Sequence, residues 1–224
     1  MKLGVLGGMG PASSAEFMVR LTYLTPAKTD QDHIPTVLWS DPRIPDRVTS
    51  IENNDDLPLA LLIEGIKGLQ LSGCDSIAIP CNSAHFWYDE LVKLGTPIHH
   101  IVHSVSDELL DRDLTDITIG ILGSKGTLNS CLYQNILNVK GWQCIIPSLD
   151  DIDTLVQPSI KLIKDNRYDE AEFLLNKSID KLISRGAKAI VLGCTEFPLV
   201  IKCCSVPVIS SVDSLAKSII KTYK

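Results

Sequence analysis

No uninterrupted apolar run in this chain is long enough to cross a bilayer. Near the N-terminus, Leu3 to Leu6 is too short for the apolar core of a signal peptide, and glycines follow at once. Basic residues are not in excess: 21 Lys and Arg stand against 27 Asp and Glu, a formal net charge of −6. That balance argues against a general nucleic-acid binder, whose affinity comes from cations against phosphates. It leaves room for a small basic pocket around an anionic ligand. Disulfide-framework spacing is missing, and the seven cysteines are an odd number. They fit a reducing compartment, so a cytoplasmic enzyme without a membrane partner is expected. Nucleotide signatures are missing too. Gly8-Met9-Gly10 runs on into Pro11-Ala12-Ser13, without the third glycine or alanine of the dinucleotide fingerprint, and Asp41 comes too late to hold a ribose. Zinc spacing is lacking: Cys203 and Cys204 are adjacent and have no partners at the right distance. His99, His100 and His103 lie at a strand end and the turn beyond it, and need not converge.

What the chain does have is a repeat. Leu69, Gly73, Ile77 and Cys81 recur as Leu182, Gly186, Ile190 and Cys194, each 113 positions later. The glycine loop Gly4-Val5-Leu6-Gly7-Gly8-Met9-Gly10-Pro11 is echoed by Gly120-Ile121-Leu122-Gly123-Ser124-Lys125-Gly126-Thr127 at nearly the same offset. The period is far too long for a solenoid, so it predicts two similar half-domains. Chance likeness of apolar strands is the competing explanation, but the match includes glycines and cysteines.

Length and composition fit such an arrangement. At 224 residues and 45% hydrophobic, the chain can bury one large core or two small ones. Strand-like and helix-like segments alternate. Lys2–Leu6, Thr36–Trp39, Ile77–Ile79 and Pro97–Ile101 read as strands in the first half. Ile117–Leu122, Gln143–Ile146, Ala189–Leu192 and Val206–Ile209 read as strands in the second. Helices are expected over Ala12–Leu24, Leu57–Leu71, Ser83–Leu94, Val105–Leu110, Leu128–Val139, Ile152–Lys164, Asp169–Ser184 and Val212–Thr222. The alternation predicts an α/β fold of two parallel sheets covered by helices. The expected division is a first domain of 1–103 with 208–224, and a second of 104–207. In such sheets ligands sit at the carboxyl ends of strands, where both glycine loops and both repeated cysteines fall.

Two acid/base groups flanking one carbon are what inversion of a stereocentre needs. A thiol, with an ordinary pKa of about 8.5, is usable as either partner near neutral pH. Asn82 with Ser83, and Thr195, are capping residue types. A helix starting at each would aim N–H groups and a positive dipole end at the sulfur and at a carboxylate. The structural alternative is burial in a core, expected for Cys74, Cys131, Cys144, Cys203 and Cys204. His85 follows Cys81 by four positions; packing or capping is its expected role, with orientation of the Cys81 motif as the alternative.

The runs GGMGP (Gly7–Pro11), DPRIPDR (Asp41–Arg47), PCNSAH (Pro80–His85) and GCTE (Gly193–Glu196) occur together and in order, over nearly the whole chain. With them the sequence resembles the aspartate racemase family, within the cofactor-independent aspartate/glutamate racemases. Two cysteine motifs separate that family from relatives of the same fold that keep one thiol. The resemblance implies two α/β domains related by pseudo-twofold symmetry, an active site in the cleft between them, and a homodimer. It implies no pyridoxal phosphate and no metal. Cys81 and Cys194 match the thiols that abstract and return the α-proton. Arg47 matches an arginine for the distal carboxylate, and Lys164 a lysine on a second-domain helix. From the residues alone, simple solvation remains open for both. Asn82, Ser83, Ala84 and Thr195 match donors around the α-carboxylate, Met9 and Gly10 the substrate-facing glycine loop, and Thr127 its symmetry mate. Ser83 stands where the family usually carries threonine, which keeps a hydroxyl and loses a methyl. Phe197-Pro198 after GCTE is a second departure. The implied activity is interconversion of L- and D-aspartate. A glutamate or broad-specificity racemase, or a non-catalytic amino-acid-binding protein, stays open as an alternative.

Overall fold

The computed structural model describes residues 1–201 and 203–223. It divides into two compact units, Met1–Ser104 with Val212–Lys224, and Val105–Ser211. The first contains β1 (Leu3–Gly7), α1 (Pro11–Leu24), β2 (Thr36–Ser40), α2 (Arg47–Asn53), α3 (Leu59–Leu71) and β3 (Ser76–Ala78). A 3-10 turn (Ser83–Trp87), α4 (Tyr88–Leu91), a second 3-10 turn (Val92–Leu94) and β4 (Ile98–His99) follow. Helix α5 (Ile101–Asp111) leads into the second unit: β5 (Thr118–Gly123), α6 (Lys125–Asn129), α7 (Leu132–Val139) and β6 (Gln143–Ile145). Then come α8 (Leu149–Asp151), a π-turn (Ile152–Val156), α9 (Gln157–Lys164), α10 (Tyr168–Ser184), β7 (Ala189–Gly193) and β8 (Val208–Ser210), and α11 (Ser211–Tyr223) belongs to the first unit from Val212 on.

Each unit holds one four-stranded sheet, in the orders β2-β1-β3-β4 and β6-β5-β7-β8. All pairings are parallel. The central strands β1 and β7 are buried along their whole length, as expected where helices cover both faces of a sheet. Burial of each large aliphatic side chain contributes about 1.5–3 kcal/mol. In the first unit this apolar core includes Leu6, Leu62, Ile66, Leu69 and Ile77, and in the second Leu122, Leu175, Ile179, Leu182 and Ile190. Among the described residues no helix is long and apolar enough to cross a membrane.

The repeat extends to side-chain packing. A Cβ on Gly4 would meet Ile77, Leu69 and Cys74; one on Gly120 would meet Ile190, Leu182 and Ala187. Each neighbour in the second set lies 113 positions after its counterpart in the first.

Several elements differ from their sequence expectation. Helix α2 is not among the expected helices; it forms because the Asp46 side chain caps it by accepting from the Thr49 N–H at 2.9 Å. The helix expected over Ser83–Leu94 is split into two 3-10 turns around a single α turn. The helix expected over Leu128–Val139 is broken at Cys131, whose φ of 53° is left-handed and stops the chain from winding on. Cys131 and Cys203 are exposed, and Cys144 and Cys204 half-buried; of the five cysteines expected in cores, Cys74 alone is buried. Strand β8 pairs with β7 in the second sheet, although the sequence division ends the second domain at 207.

Glycines also admit one large ring to the first unit. Gly65 and Gly68 of α3 lie against the Trp39 indole, and a Cβ on Gly68 would stand 2.4 Å from Trp39 Cζ3. Gly68→Ala gains about 1 kcal/mol of helix propensity but incurs an overpacking cost of about 1–3 kcal/mol. Urea denaturation is expected to show a lower midpoint for G68A, and a smaller penalty when Trp39→Leu is introduced with it.

Candidate active site

In the first unit the carboxyl end of the sheet is built from three loops. Gly8 has φ +95°, and a Cβ there would fall 2.3 Å from the Asp41 carbonyl carbon and oxygen, so only glycine lets the two loops meet. The contact is closed by the Asp41 N–H donating to the Gly7 carbonyl at 3.3 Å. Ser14 in the first turns of α1 pins the glycine loop. Its hydroxyl accepts from the Gly8 N–H at 2.9 Å and donates to the Gly10 carbonyl at 2.8 Å. Asp41 is buried and held by Arg43, which donates from its backbone N–H, Nε and Nη2. The guanidinium keeps the Asp41 carboxyl below its ordinary pKa.

Arg47 opens α2 and turns back over the same loops. Its Nη1 donates to the Ile44 carbonyl at 3.2 Å and the Pro45 carbonyl at 3.0 Å, and its Nη2 donates to the Met9 carbonyl at 3.3 Å. The Nε–H is buried and has no partner among the described residues. The guanidinium is thus tethered through its Nη atoms while its Nε–H has no acceptor. Met9, Ile44, Cys81 and Ala84 share one apolar cluster, so the structure brings the glycine loop, the arginine loop and the first cysteine loop together. A Cβ on Gly10 would meet nothing within 4 Å, which leaves that face of the loop open.

Cys81 follows β3 at a sharp turn in which its own N–H donates to the Ile79 carbonyl at 2.8 Å. Asn82, Ser83 and Ala84 are all buried. The helix expected to begin here is only the short 3-10 turn, and Asn82 makes no capping bond to it. At the second cysteine, the residue preceding the 3-10 turn Phe197–Leu199 is Glu196, not Thr195. The strong helix dipole expected at each sulfur is therefore not built, since a single 3-10 turn aligns few peptide groups. What fixes Cys81 instead is His85. Its Nδ1 lies 2.9 Å from the Cys81 carbonyl, and its Nε2 accepts from the Ile101 N–H at 3.2 Å. A carbonyl can only accept and a backbone N–H can only donate, so the ring is the neutral Nδ1–H tautomer.

In the second unit β5 delivers Gly123 and Ser124, the latter capping α6 by accepting from the Thr127 N–H. The Thr127 and Ser124 hydroxyls lie 3.1 Å apart, and Thr127 is buried. Cys194 follows β7 directly. Its Sγ–H donates to Glu196 Oε2 at 2.9 Å, and the Thr195 hydroxyl reaches the same oxygen at 3.4 Å. Cys194, Thr195 and Glu196 are all buried. Tyr133 of α7 packs beneath, its ring 2.9 Å from where a Cβ on Gly193 would be. Burial raises its phenol well above the ordinary value. Lys164 is the last residue of α9 and exposed, with no hydrogen-bond or ion-pair partner among the described residues. Its neighbour Ile163 belongs to the apolar cluster that contains Cys194.

The hydrogen-bond register makes the two cysteines equivalent. Gly4 pairs with Ile77 and Gly120 with Ile190. Each cysteine stands four residues beyond that partner, past the end of the strand between the first and last of its own unit. Sequence reasoning had flagged both. It did not single out Ser14, Asp41 or Glu196, although Glu196 lies within the GCTE run. No group of three or more His, Cys, Asp or Glu among the described residues could hold a metal ion. At His100 the reason is visible: its Nδ1 accepts from the Val102 and His103 N–H groups at the start of α5.

Comparison with known proteins matches this architecture. The profile of the family described as Asp/Glu/Hydantoin racemase fits residues 6–219. The chain is 30% identical over 228 residues to the broad specificity amino-acid racemase RacX of Bacillus subtilis (strain 168), covering 99% of this chain and 97% of that protein. Among solved structures, the Picrophilus torridus aspartate racemase is similar at a TM-score of 0.87 with 31% identity, covering 99% of this chain and 93% of that one. An aspartate racemase homologue from Pyrococcus horikoshii OT3 shares the fold, with a TM-score of 0.78 and 23% identity, covering 99% and 98% of the two chains.

The histidines that brace the first cysteine loop and the start of α5 make the stability of the first unit depend on pH. Burial lowers the His85 pKa to about 4 and that of His100 to about 2. The unfolded chain, with histidines near 6.5, binds more protons below that value. Stability is therefore fully present above pH ~6.5 and declines as pH falls toward 4, at up to about 1.4 kcal/mol per pH unit for each ring. Urea midpoints at pH 7 and pH 5 should show this loss, and His85→Gln should reduce the slope; an unchanged slope in H85Q would contradict the assignment.

Proposed function

The chain belongs to the Asp/Glu/Hydantoin racemase family, and from that premise we propose that this amino-acid racemase interconverts L- and D-aspartate with two thiols and no pyridoxal phosphate. The α-proton is very weakly acidic, and its removal leaves a carbanion beside a carboxylate that is already negative. Catalysis then needs a base on one face, an acid on the other, and donors where charge builds. Cys81 and Cys194 take the acid and base roles, which swap when the other enantiomer is the substrate. The observation that carries the proposal is the equivalence of the two cysteines in the registers of two sheets of the same order. A single-thiol chemistry gives no reason for that match.

The unpartnered Nε–H of Arg47 supports a substrate with a second carboxylate. Lys164 would add a point charge. Met9, Gly10, Asn82, Ser83, Ala84, Thr127 and Thr195 complete the proposed binding set. The Picrophilus torridus protein is named an aspartate racemase, and its 31% identity over 99% of this chain supports aspartate as the substrate. The similarity to RacX supports a second reading, a broader substrate range. On the first proposal the enzyme acts in the cytoplasm as a homodimer, which light scattering tests.

Two measurements decide the chemistry. In heavy water, the α-proton signal of L- and D-aspartate should decay, faster than those of glutamate and alanine. Equal decay on alanine favours the broad range, and binding without decay favours a non-catalytic amino-acid-binding protein. Cys81→Ala and Cys194→Ala should each lower racemisation by roughly 10²–10⁴-fold or more while leaving the circular dichroism spectrum unchanged. Undiminished turnover in either purified variant rules out the two-thiol scheme.

A further inference from the structure

The glycine-loop repeat runs on into the helices that follow it. Gly7 recurs as Gly123, Ser14 as Ser130, Phe17 as Tyr133 and Leu21 as Leu137, each 116 positions later. Phe17, Leu21, Tyr133 and Leu137 are all buried. The two units therefore place a ring at the same point of the repeat, and only the second adds a hydroxyl to it. A buried hydroxyl is costly unless it is hydrogen-bonded. This one bonds the side chain of Ser211, itself buried at the first position of α11 and within the same unit.

What the ring packs against is specific to the second unit as well. A Cβ on Gly193 would stand 2.9 Å from Tyr133 Cε2 and 3.4 Å from its Cζ, so the ring edge occupies the space of a side chain on the residue before Cys194. The matching residue 113 positions earlier, before Cys81, is Pro80, which carries a Cβ. The bare glycine and the hydroxyl-bearing ring thus occur together in one unit, where the other has Pro80 and Phe17. The phenol also lies near enough to Cys194 for a thiolate there to oppose its ionisation. Burial keeps the phenol neutral, so what it offers the cysteine loop is shape and one hydrogen bond rather than charge.

We propose that Tyr133 is a positioning residue for Cys194: its ring bears on the bare backbone of Gly193 and sets where the sulfur that follows stands, and its hydroxyl, anchored on Ser211, holds the ring in place. For its effect on turnover the proposal rests on the two-thiol reading above; its effect on the sulfur is independent of that reading. A reacting atom displaced by about 1 Å loses about 10²-fold in rate, so a smaller shift from losing one hydroxyl is expected to cost about tenfold. Because Tyr133 acts through Gly193 and not on the substrate, the loss falls on kcat rather than on KM.

The test is Tyr133→Phe in the full chain, which gives the second unit the ring that the first already has. In Y133F, kcat for aspartate racemisation should fall about tenfold while KM stays within about twofold. Peptide-resolved alkylation by iodoacetamide should change at Cys194 by about threefold or more, relative to Cys81 in the same sample. Ser211→Ala should reproduce both effects, and Y133F/S211A should be no worse than the more affected single variant, because both changes remove one bond. A merely structural role for Tyr133 would lower the urea midpoint and leave kcat per folded molecule and the alkylation ratio unchanged; that result overturns the proposal. A fall in kcat with an unchanged alkylation ratio, or full additivity in the double variant, overturns it too. If Y133F does not fold, S211A carries the same two readouts. Alkylation is read without turnover, so an unchanged ratio alongside an inactive C194A variant removes the role of Tyr133 alone. A fully active C194A variant removes the two-thiol reading, and the alkylation ratio still decides whether Tyr133 places the sulfur.

Discussion

The approach of an isoleucine, a leucine and one smaller side chain to a bare glycine on a central strand is the contact on which both halves of this protein depend. At Gly4 the neighbours are Ile77, Leu69 and Cys74; at Gly120 they are Ile190, Leu182 and Ala187. Without a Cβ on the glycine, the crossover helix packs down onto the sheet and the next strand is held in one register. That register then determines which residue emerges at the carboxyl edge four positions later, and in both units it is a cysteine. A shift by one residue would turn the sulfur to the other face of its sheet. Packing within each sheet therefore sets the placement of the two cysteines.

Much of this was legible because the repeat is written in residue types with few substitutes. Glycines mark where backbones must touch, and strand-end cysteines mark where reactivity is useful. The α/β alternation and the strand positions follow from short apolar runs bounded by turn residues. Other features depended on contacts that spacing does not encode. Helix α2 was hidden because its cap, Asp46, sits in a proline-rich stretch that reads as loop. The break at Cys131 rests on a left-handed residue that is not a glycine, so no residue type announces it. The short 3-10 turns after Cys81 and Cys194 removed the helix dipoles that the capping residues suggested. Glu196 was visible as a letter in a motif, but its grip on the Cys194 sulfur needed the turn of the loop to be seen.

The two cysteine loops share a scaffold and differ in their support. In the first, His85 ties the cysteine loop to the start of α5, with both ring nitrogens committed. In the second, the support is a carboxylate acting on the sulfur itself. Duplication accounts for the common strand order and the common position of the thiols. Divergence around each thiol gives the two cysteines different hydrogen-bonding surroundings. On the proposed function, Arg47, tethered by three carbonyls with an unpartnered Nε–H, is a donor fixed before a ligand arrives.

The central claim is that both thiols serve one carbon. A crystal structure with aspartate bound in a catalytically impaired Cys→Ser variant tests it most directly. The account predicts the Cys81 and Cys194 side-chain positions on opposite faces of the substrate Cα, each about 3.5 Å from it. Aspartate lying against one of the two, with the other outside contact distance, would contradict it.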